Sequence, residues 1–276
     1  MGKFDTAYPG EALLRLVPLV LRAREFHLYL EGGQRLLDLW RQGGRAVLGH
    51  KPPEVLKELK NAAERGLFTP LPHPAEKRFF KALEQFFPGR VFRLFTDESS
   101  LRRALEQAGF TGPFYDPAFP TQSAGEPSIS LWRPFIKMVP GTVFVPVLPW
   151  PLGPVVLVLD KSAEAPFSSP VIPPVLLAPA TRALYDLAAA LKDHSPDSLK
   201  FKYPKIEKAL KNGNWRRQGI YITGKATLDN EKYEALFRRF LEAGFLIPLS
   251  PAEPIILPLW MSPGEEAKLA GLFNQF

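Results

Sequence analysis

The stretch that decides the fold is Leu28-Tyr29-Leu30-Glu31-Gly32-Gly33-Gln34-Arg35-Leu36-Leu37-Asp38-Leu39, continued by Gly43-Gly44 and by Leu48-Gly49-His50-Lys51-Pro52-Pro53-Glu54-Val55. Phe26, Leu28 and Leu30 alternate with polar or smaller residues, and Gly32-Gly33 supplies the positive φ values of a tight turn, so the first half predicts a β-hairpin closing on Arg35 to Trp40. Past Pro52-Pro53, the apolar residues Val55, Leu56, Leu59, Ala62 and Ala63 keep helical spacing up to a stop at Gly66. Phe79, Phe80, Leu83, Phe86 and Phe87 repeat that face, closed by Pro88-Gly89. Val91 to Phe95 reads as a strand, and Leu101, Ala104, Leu105 and Ala108 face one side of a short helix ending at Gly109.

The C-terminal 60 residues are patterned as clearly. Gly219 to Thr223 predicts a strand, Asp229 an N-cap, and Tyr233, Leu236, Phe237, Phe240 and Leu241 a helix face ending at Gly244. Phe245 to Leu249 and Pro254 to Leu257 are short apolar segments. Ser262-Pro263-Gly264-Glu265 then opens a last helix with an N-cap, a proline at the first position and a capping-box Glu, and Leu269, Leu272, Phe273 and Phe276 form its face. Between these two parts the periodicity is poor. Ten of the chain's 30 prolines lie between Pro140 and Pro179, where missing donors and ring clashes predict extended or looped backbone. Val143 to Leu148 and Val155 to Leu159 read there as buried strands, and a helix resumes around Ala180.

Composition narrows the function. With 276 residues, 46% apolar and 23% charged, the chain can bury a substantial core. It has no cysteine, which removes disulfides, thiolate metal sites and cysteine nucleophiles. No apolar run approaches the roughly 20 residues needed to span a bilayer. Lys3 is the one basic residue of Met1 to Asp5, and Arg15 and Pro18 interrupt the apolar stretch after it, so no signal-peptide pattern forms and a cytoplasmic location is expected. Of the net charge of +7, most comes from residues 192 to 217, with eight Lys or Arg (Lys192, Lys200, Lys202, Lys205, Lys208, Lys211, Arg216, Arg217) against Asp193, Asp197 and Glu207. Phe201, Tyr203 and Trp215 interleave with these, a pattern that suits a phospholigand or nucleic-acid face and equally a solvated helix, the commoner arrangement. His27, His73 and His194 lack metal-ligand spacing, so no metal site is expected.

The opening stretch resembles the N-terminal signature of the class III aminotransferases, which have the pyridoxal-phosphate-dependent fold type I. In that family a hairpin, a Leu-Asp pair, a Gly and a Leu-Gly-His-x-x-Pro-Glu-Val run occur in this order. Phe95-Thr96-Asp97-Glu98-Ser99-Ser100 is similar to the family's phosphate-binding turn, and Arg217-Gln218-Gly219-Ile220-Tyr221 onward to its small C-terminal domain. The resemblance covers residues 24 to 108 closely, 176 to 276 in arrangement, and little between. It implies an α/β, reduced PLP-transferase-like fold: a small α/β domain from residues 1–50 and 176–276, and a truncated remnant of the large PLP-binding domain at 51–175. It further implies a homodimer, because fold type I sites form at subunit interfaces.

The departures from the family carry the functional expectation. Fold type I chemistry needs a cofactor-binding lysine, an acidic partner for the pyridine nitrogen, a stacking aromatic and phosphate donors, mostly on a large parallel sheet. Only 67 residues, Gly109 to Val175, remain for most of that sheet. Asp97 and Glu98 put charge where the family has an Asn-Ser-Gly-Ser type of turn, and this repels a phosphate at a helix N-terminus, although Ser99 and Ser100 can still donate. Phe114-Tyr115 is similar to the stacking pair, with core packing as the plainer role. Asp160 matches the acidic partner, or a strand-end turn residue. Lys161 and Lys137 are the only lysines of the middle region and the two candidates for catalysis, while Asp160 beside Lys161 favours the charged, unreactive amine. His50 is read as fixing a loop. No arginine stands around Ile255-Ile256-Leu257-Pro258 to anchor a substrate carboxylate. The expectation is an aminotransferase-like protein that has lost transamination and acts as a binding or regulatory subunit with a protein partner. A minimal PLP-dependent aminotransferase or aminomutase using Lys161 or Lys137 is the first alternative, and a phospholigand or nucleic-acid binder through residues 192–217 the second.

Overall fold

The structure is a computed structural model and describes residues 9–110, 112, 114–119, 129–137, 141–161, 167–194, 202–226 and 228–275. The chain divides into two compact units, residues 1–43 with 196–276, and residues 44–195.

The unit from 44 to 195 is built on a four-stranded sheet in the order β4-β7-β6-β5, with β4 Val91–Phe95, β5 Ser130–Trp132, β6 Val143–Pro146 and β7 Val155–Leu159. β7 runs antiparallel to both β4 and β6, and β5 runs parallel to β6. All five side chains of β7 are buried, which its sequence Val-Val-Leu-Val-Leu requires of a strand covered on both faces. Val156 and Val158 point, with Leu94 and Phe144, into a core shared with helices α2 (Pro53–Glu64), α3 (Pro74–Phe86) and α5 (Pro174–Asp193). Val155, Leu157 and Leu159 point the other way and pack with Leu101 and Leu105 of α4 (Glu98–Gln107). Alternation along one strand thus separates two helix layers.

In the other unit β1 (Val20–Arg24), β2 (His27–Leu30), β3 (Arg35–Asp38) and β10 (Phe245–Leu246) form one sheet in that order. β2 and β3 are the expected hairpin, with Gly32 and Gly33 at φ 89° and 84°. β10 pairs with β3 in parallel, Phe245 opposite Leu37, so N-terminal and C-terminal segments share a sheet. A second sheet joins β8 (Trp215–Gln218), β9 (Tyr221–Gly224) and β11 (Ile255–Ile256). The short α1 (Pro9–Leu14), α6 (Pro204–Asn212), α7 (Asn230–Glu242) and α8 (Pro263–Phe273) complete the unit. Asp229 caps α7 through the Lys232 N–H, and Ser262 with Glu265 makes the expected capping box on α8.

Several elements differ from the sequence reading. The strand expected over Gly219–Thr223 is the turn and second arm of a hairpin: Gly219 sits at φ 57° in the left-handed region, and Gln218 pairs with Tyr221. Arg216 and Arg217 hid the first arm, because long cationic side chains mask the alternation of a half-exposed strand. α5 starts at Pro174, six residues before Ala180, and contains Pro179. Pro174 sits within the first helical positions, where a missing N–H costs nothing, and burial of Leu177, Ala180, Ala183 and Leu184 offsets the hydrogen bond lost at Pro179. β1 and β5 carry no alternation strong enough to announce them. The unit boundaries fall at 43/44 and 195/196, against 50/51 and 175/176 in the sequence reading, because α5 packs on α2 and α3.

Candidate functional site

The residues that the resemblance singles out all lie in the 44–195 unit, and the sheet register separates them. Phe95, at the end of β4, pairs with Val155 at the start of β7, whereas Val91 pairs with Leu159. Ser99 and Ser100 come after Phe95; Asp160 and Lys161 come after Leu159. The serines and the Asp160–Lys161 pair therefore stand at opposite ends of the β4–β7 ladder, roughly 13 Å of strand apart from its rise per residue.

At the serine end, the start of α4 is already satisfied by its own carboxylate. Asp97 Oδ1 accepts from the Ser100 N–H at 2.7 Å, the Thr96 hydroxyl donates to Asp97 Oδ2 at 2.8 Å, and the Ser100 hydroxyl donates to the Asp97 carbonyl at 2.8 Å. The Ser100 N–H and then the Thr96 hydroxyl hold the Asp97 carboxyl below the usual range, so a carboxylate already caps the start of α4. Glu98 adds a second negative charge, paired with Arg102 on the next turn at 2.6 Å. Arg45, which sequence reasoning passed over, donates to the Gly153 carbonyl at 2.8 Å and interacts electrostatically with Glu98. Burial lowers its pKa, and the Glu98 charge works against that.

At the opposite end Asp160 forms an ion pair with Arg90 at 3.2 Å. Lys161 and Lys137 are both exposed. The exposure extends further: every described lysine of this unit lies in solvent, and Lys202 of the other unit, half-buried with a pKa lowered by desolvation, is the one described lysine drawn even partly from water. Phe114 packs against the α4 side of the sheet beneath the Arg102 guanidinium, 4.7 Å from its ring centroid, and Tyr115 pairs through its backbone with Ile129 and Leu131. His50 is half-buried in its loop.

Pyridoxal phosphate does not fit these residues. Its phosphate turn is filled by Asp97, its acidic and phosphate-binding candidates lie at opposite sheet ends, and every described lysine of the unit is exposed.

The remaining candidates resolve individually. His27 meets Glu265 at 2.7 Å, His73 caps α3, and no group of His, Asp and Glu suited to a metal exists among the described residues. In the basic segment Lys200 and Phe201 lie outside the described residues. Tyr203 and Trp215 are buried, with the Tyr203 hydroxyl donating to the Pro258 carbonyl, and Arg217 pairs with Glu207, so these aromatics are core rather than a stacking surface. Among the described residues no helix is long and apolar enough to cross a membrane.

Sequence reading also missed the most buried ion pair among the described residues of this unit. Arg133 donates to both oxygens of Asp116, Nε to Oδ1 at 2.7 Å and Nη2 to Oδ2 at 2.6 Å, and Asp116 also accepts from the Ala118 N–H. Each residue precedes a proline, which holds its backbone extended, but nothing in their separation announces that they meet.

Solved structures match this arrangement of elements along nearly its whole length. An omega-transaminase from Sphaerobacter thermophilus superposes with a TM-score of 0.64 at 12% identity, over 94% of this chain and 90% of that one. The ornithine delta-aminotransferase of Plasmodium falciparum gives 0.62 at 12% identity, over 94% and 92%. A serine palmitoyltransferase from S. paucimobilis with bound PLP–myriocin aldimine gives 0.62 at 10% identity, over 93% and 91%. The chain has the fold type I fold of the PLP-dependent transferases. Identities this low show the fold alone. No family model matches the sequence. Among curated proteins, an uncharacterized protein of Treponema pallidum is 29% identical over 296 residues, 91% of this chain and 92% of its own length. One of Borreliella burgdorferi is 36% identical over 75 residues, 27% of this chain and 28% of its own. The mixed α/β architecture expected from the sequence is thus the aminotransferase fold.

Proposed function

We propose that this protein is a binding or regulatory subunit built on the aminotransferase fold and no longer performing transamination. The observation that carries this reading is the placement of its lysines: a lysine attacks a carbonyl only when neutral, burial is a main route to that form, and every described lysine of the 44–195 unit stands in water. The Asp97 cap and the split between Ser99–Ser100 and Asp160 support it. On this reading the chain works as a homodimer or with a protein partner, and its fold serves as a scaffold. A minimal PLP-dependent enzyme is the second reading, favoured by the likeness to solved aminotransferases.

One experiment separates them. The purified chain is incubated with pyridoxal phosphate, its visible spectrum recorded, the mixture reduced with borohydride and modified lysines mapped by mass spectrometry. The expected result is scattered, non-saturating modification of surface lysines and no amino-acid-dependent turnover. A saturable adduct on Lys161 or Lys137, with turnover abolished by Lys161→Ala or Lys137→Ala, overturns the reading.

A further inference from the structure

A groove of about 400 Å³ opens on the 44–195 unit between α2, α3 and α5, on the helix layer away from α4. Its walls carry Arg65 from the end of α2, Arg78 from α3 and Arg182 from α5, over a floor that includes the buried Ala62, Ala75 and Thr181. Arg182 is paired with Asp186, 2.7 Å away, and also interacts electrostatically with Glu54 and Glu58. Arg65 and Arg78 have no carboxylate partner among the described residues, and Glu58 is the one carboxylate lining the groove.

The other polar groups there are donors as well. His73 Nδ1 accepts the Ala75 N–H at 3.1 Å, which in the neutral ring fixes the proton on Nε2 and leaves an N–H donor at the groove wall. Asn61 and Tyr185 add an amide and a hydroxyl. The first backbone N–H groups of α3 are already taken by His73, so any ligand is recognised by side chains. A concave site with two uncompensated guanidiniums on different helices and a surplus of donors is complementary to a compact, multiply charged anion. The planar fork of each arginine matches tetrahedral oxyanions bidentately. Its volume suits a small molecule rather than a polymer.

We propose that this groove binds a small phosphorylated ligand through Arg65 and Arg78. The site contains no lysine and lies apart from Ser99, Ser100, Asp160, Lys137 and Lys161, so it stands or falls independently of the proposed loss of transamination.

The test is isothermal titration of the full chain with inorganic pyrophosphate, inorganic phosphate and glycerol 3-phosphate. Saturable binding at one site per chain is expected, weakening with added salt. Arg65→Ala/Arg78→Ala is expected to weaken it at least 10-fold, about 1.4 kcal/mol. Arg65→Lys/Arg78→Lys, which keeps charge but loses the forks, is expected to fall between. Both arginines are exposed, so the variants should melt with the parent, and Arg238→Ala on the other unit should bind as the parent does. Tighter binding of glycerol 3-phosphate than of phosphate assigns the ligand as a phosphate ester; equal binding assigns it as the free anion. Absence of saturable binding for all three probes, or unchanged binding by the double alanine variant, overturns the proposal.

Discussion

Breaking the ion pair between Asp116 and Arg133 should destabilise the protein more than any other single charge removal in its 44–195 unit. The side chains are 10% and 4% exposed, and their two hydrogen bonds of 2.7 and 2.6 Å are near the limit for charge-assisted contacts. Asp116→Ala strips the buried guanidinium of its carboxylate, and Arg133→Met strips the buried carboxylate of its cation while the Ala118 N–H still donates to it. Each is expected to cost about 3–5 kcal/mol, the range for removing one member of a buried pair. For a chain of this size that corresponds to roughly 6–20 °C in melting temperature. The double variant removes both charges together, and the cost then reduces to altered packing and lost neutral hydrogen bonds, about 1–2 kcal/mol. Stability therefore recovers when the second charge is deleted. Urea unfolding monitored by tryptophan fluorescence is suited to the measurement, since Trp132 adjoins Arg133 in sequence. Single variants within about 1 kcal/mol of the parent, or a double variant as unstable as the sum of the singles, would refute the account.

Two further outcomes rest on the packing and the electrostatics. Phe144 is fully buried where β6 meets the α2–α3–α5 layer, with its ring centroid 5.0 Å from that of Phe87; Phe144→Ala is expected to cost about 3–5 kcal/mol in the same urea assay, and a cost below about 1 kcal/mol would contradict this core assignment. Glu265 is pushed up by burial, but His27 and then the Ser262 N–H and hydroxyl outweigh this and hold its pKa below the ordinary 4.5. A carboxylate depressed in the folded state stabilises it above the unfolded pKa, and that contribution is lost as pH falls through the folded value. Glu265→Gln should therefore flatten the acid limb of stability below about pH 4.5, whereas an unchanged limb would show that other groups govern it.

Much of the fold was legible because local signals agreed. Gly32-Gly33, the Ser262–Glu265 box, the Asp229 cap and the apolar faces of α2, α3 and α7 each report on a few consecutive residues, and each appears where the sequence places it. β7 was legible for another reason: five consecutive branched apolar residues, three of them valine, suit a strand covered on both faces. The readings failed where tertiary contacts override local preference, as at Pro179 inside α5, or where cationic side chains hide a half-exposed strand, as at Arg216-Arg217.

The candidate site divides along the same line. Sequence alone determined that a short helix follows Asp97, since its apolar face lies within a few residues, and that the middle region has only two lysines; that Asp97 caps this helix came from the structure. Which ends of the sheet hold Ser99, Ser100 and Asp160 depends on the antiparallel pairing of β4 with β7, set by residues 60 to 68 positions apart. The pairing of Asp116 with Arg133, the exposure of Lys137 and Lys161, and the meeting of Arg65, Arg78 and Arg182 in one groove are likewise products of the tertiary structure. The physical reason is range: caps, turns and helix faces are written in neighbouring residues, whereas dehydration and charge pairing depend on which distant segments the core draws together.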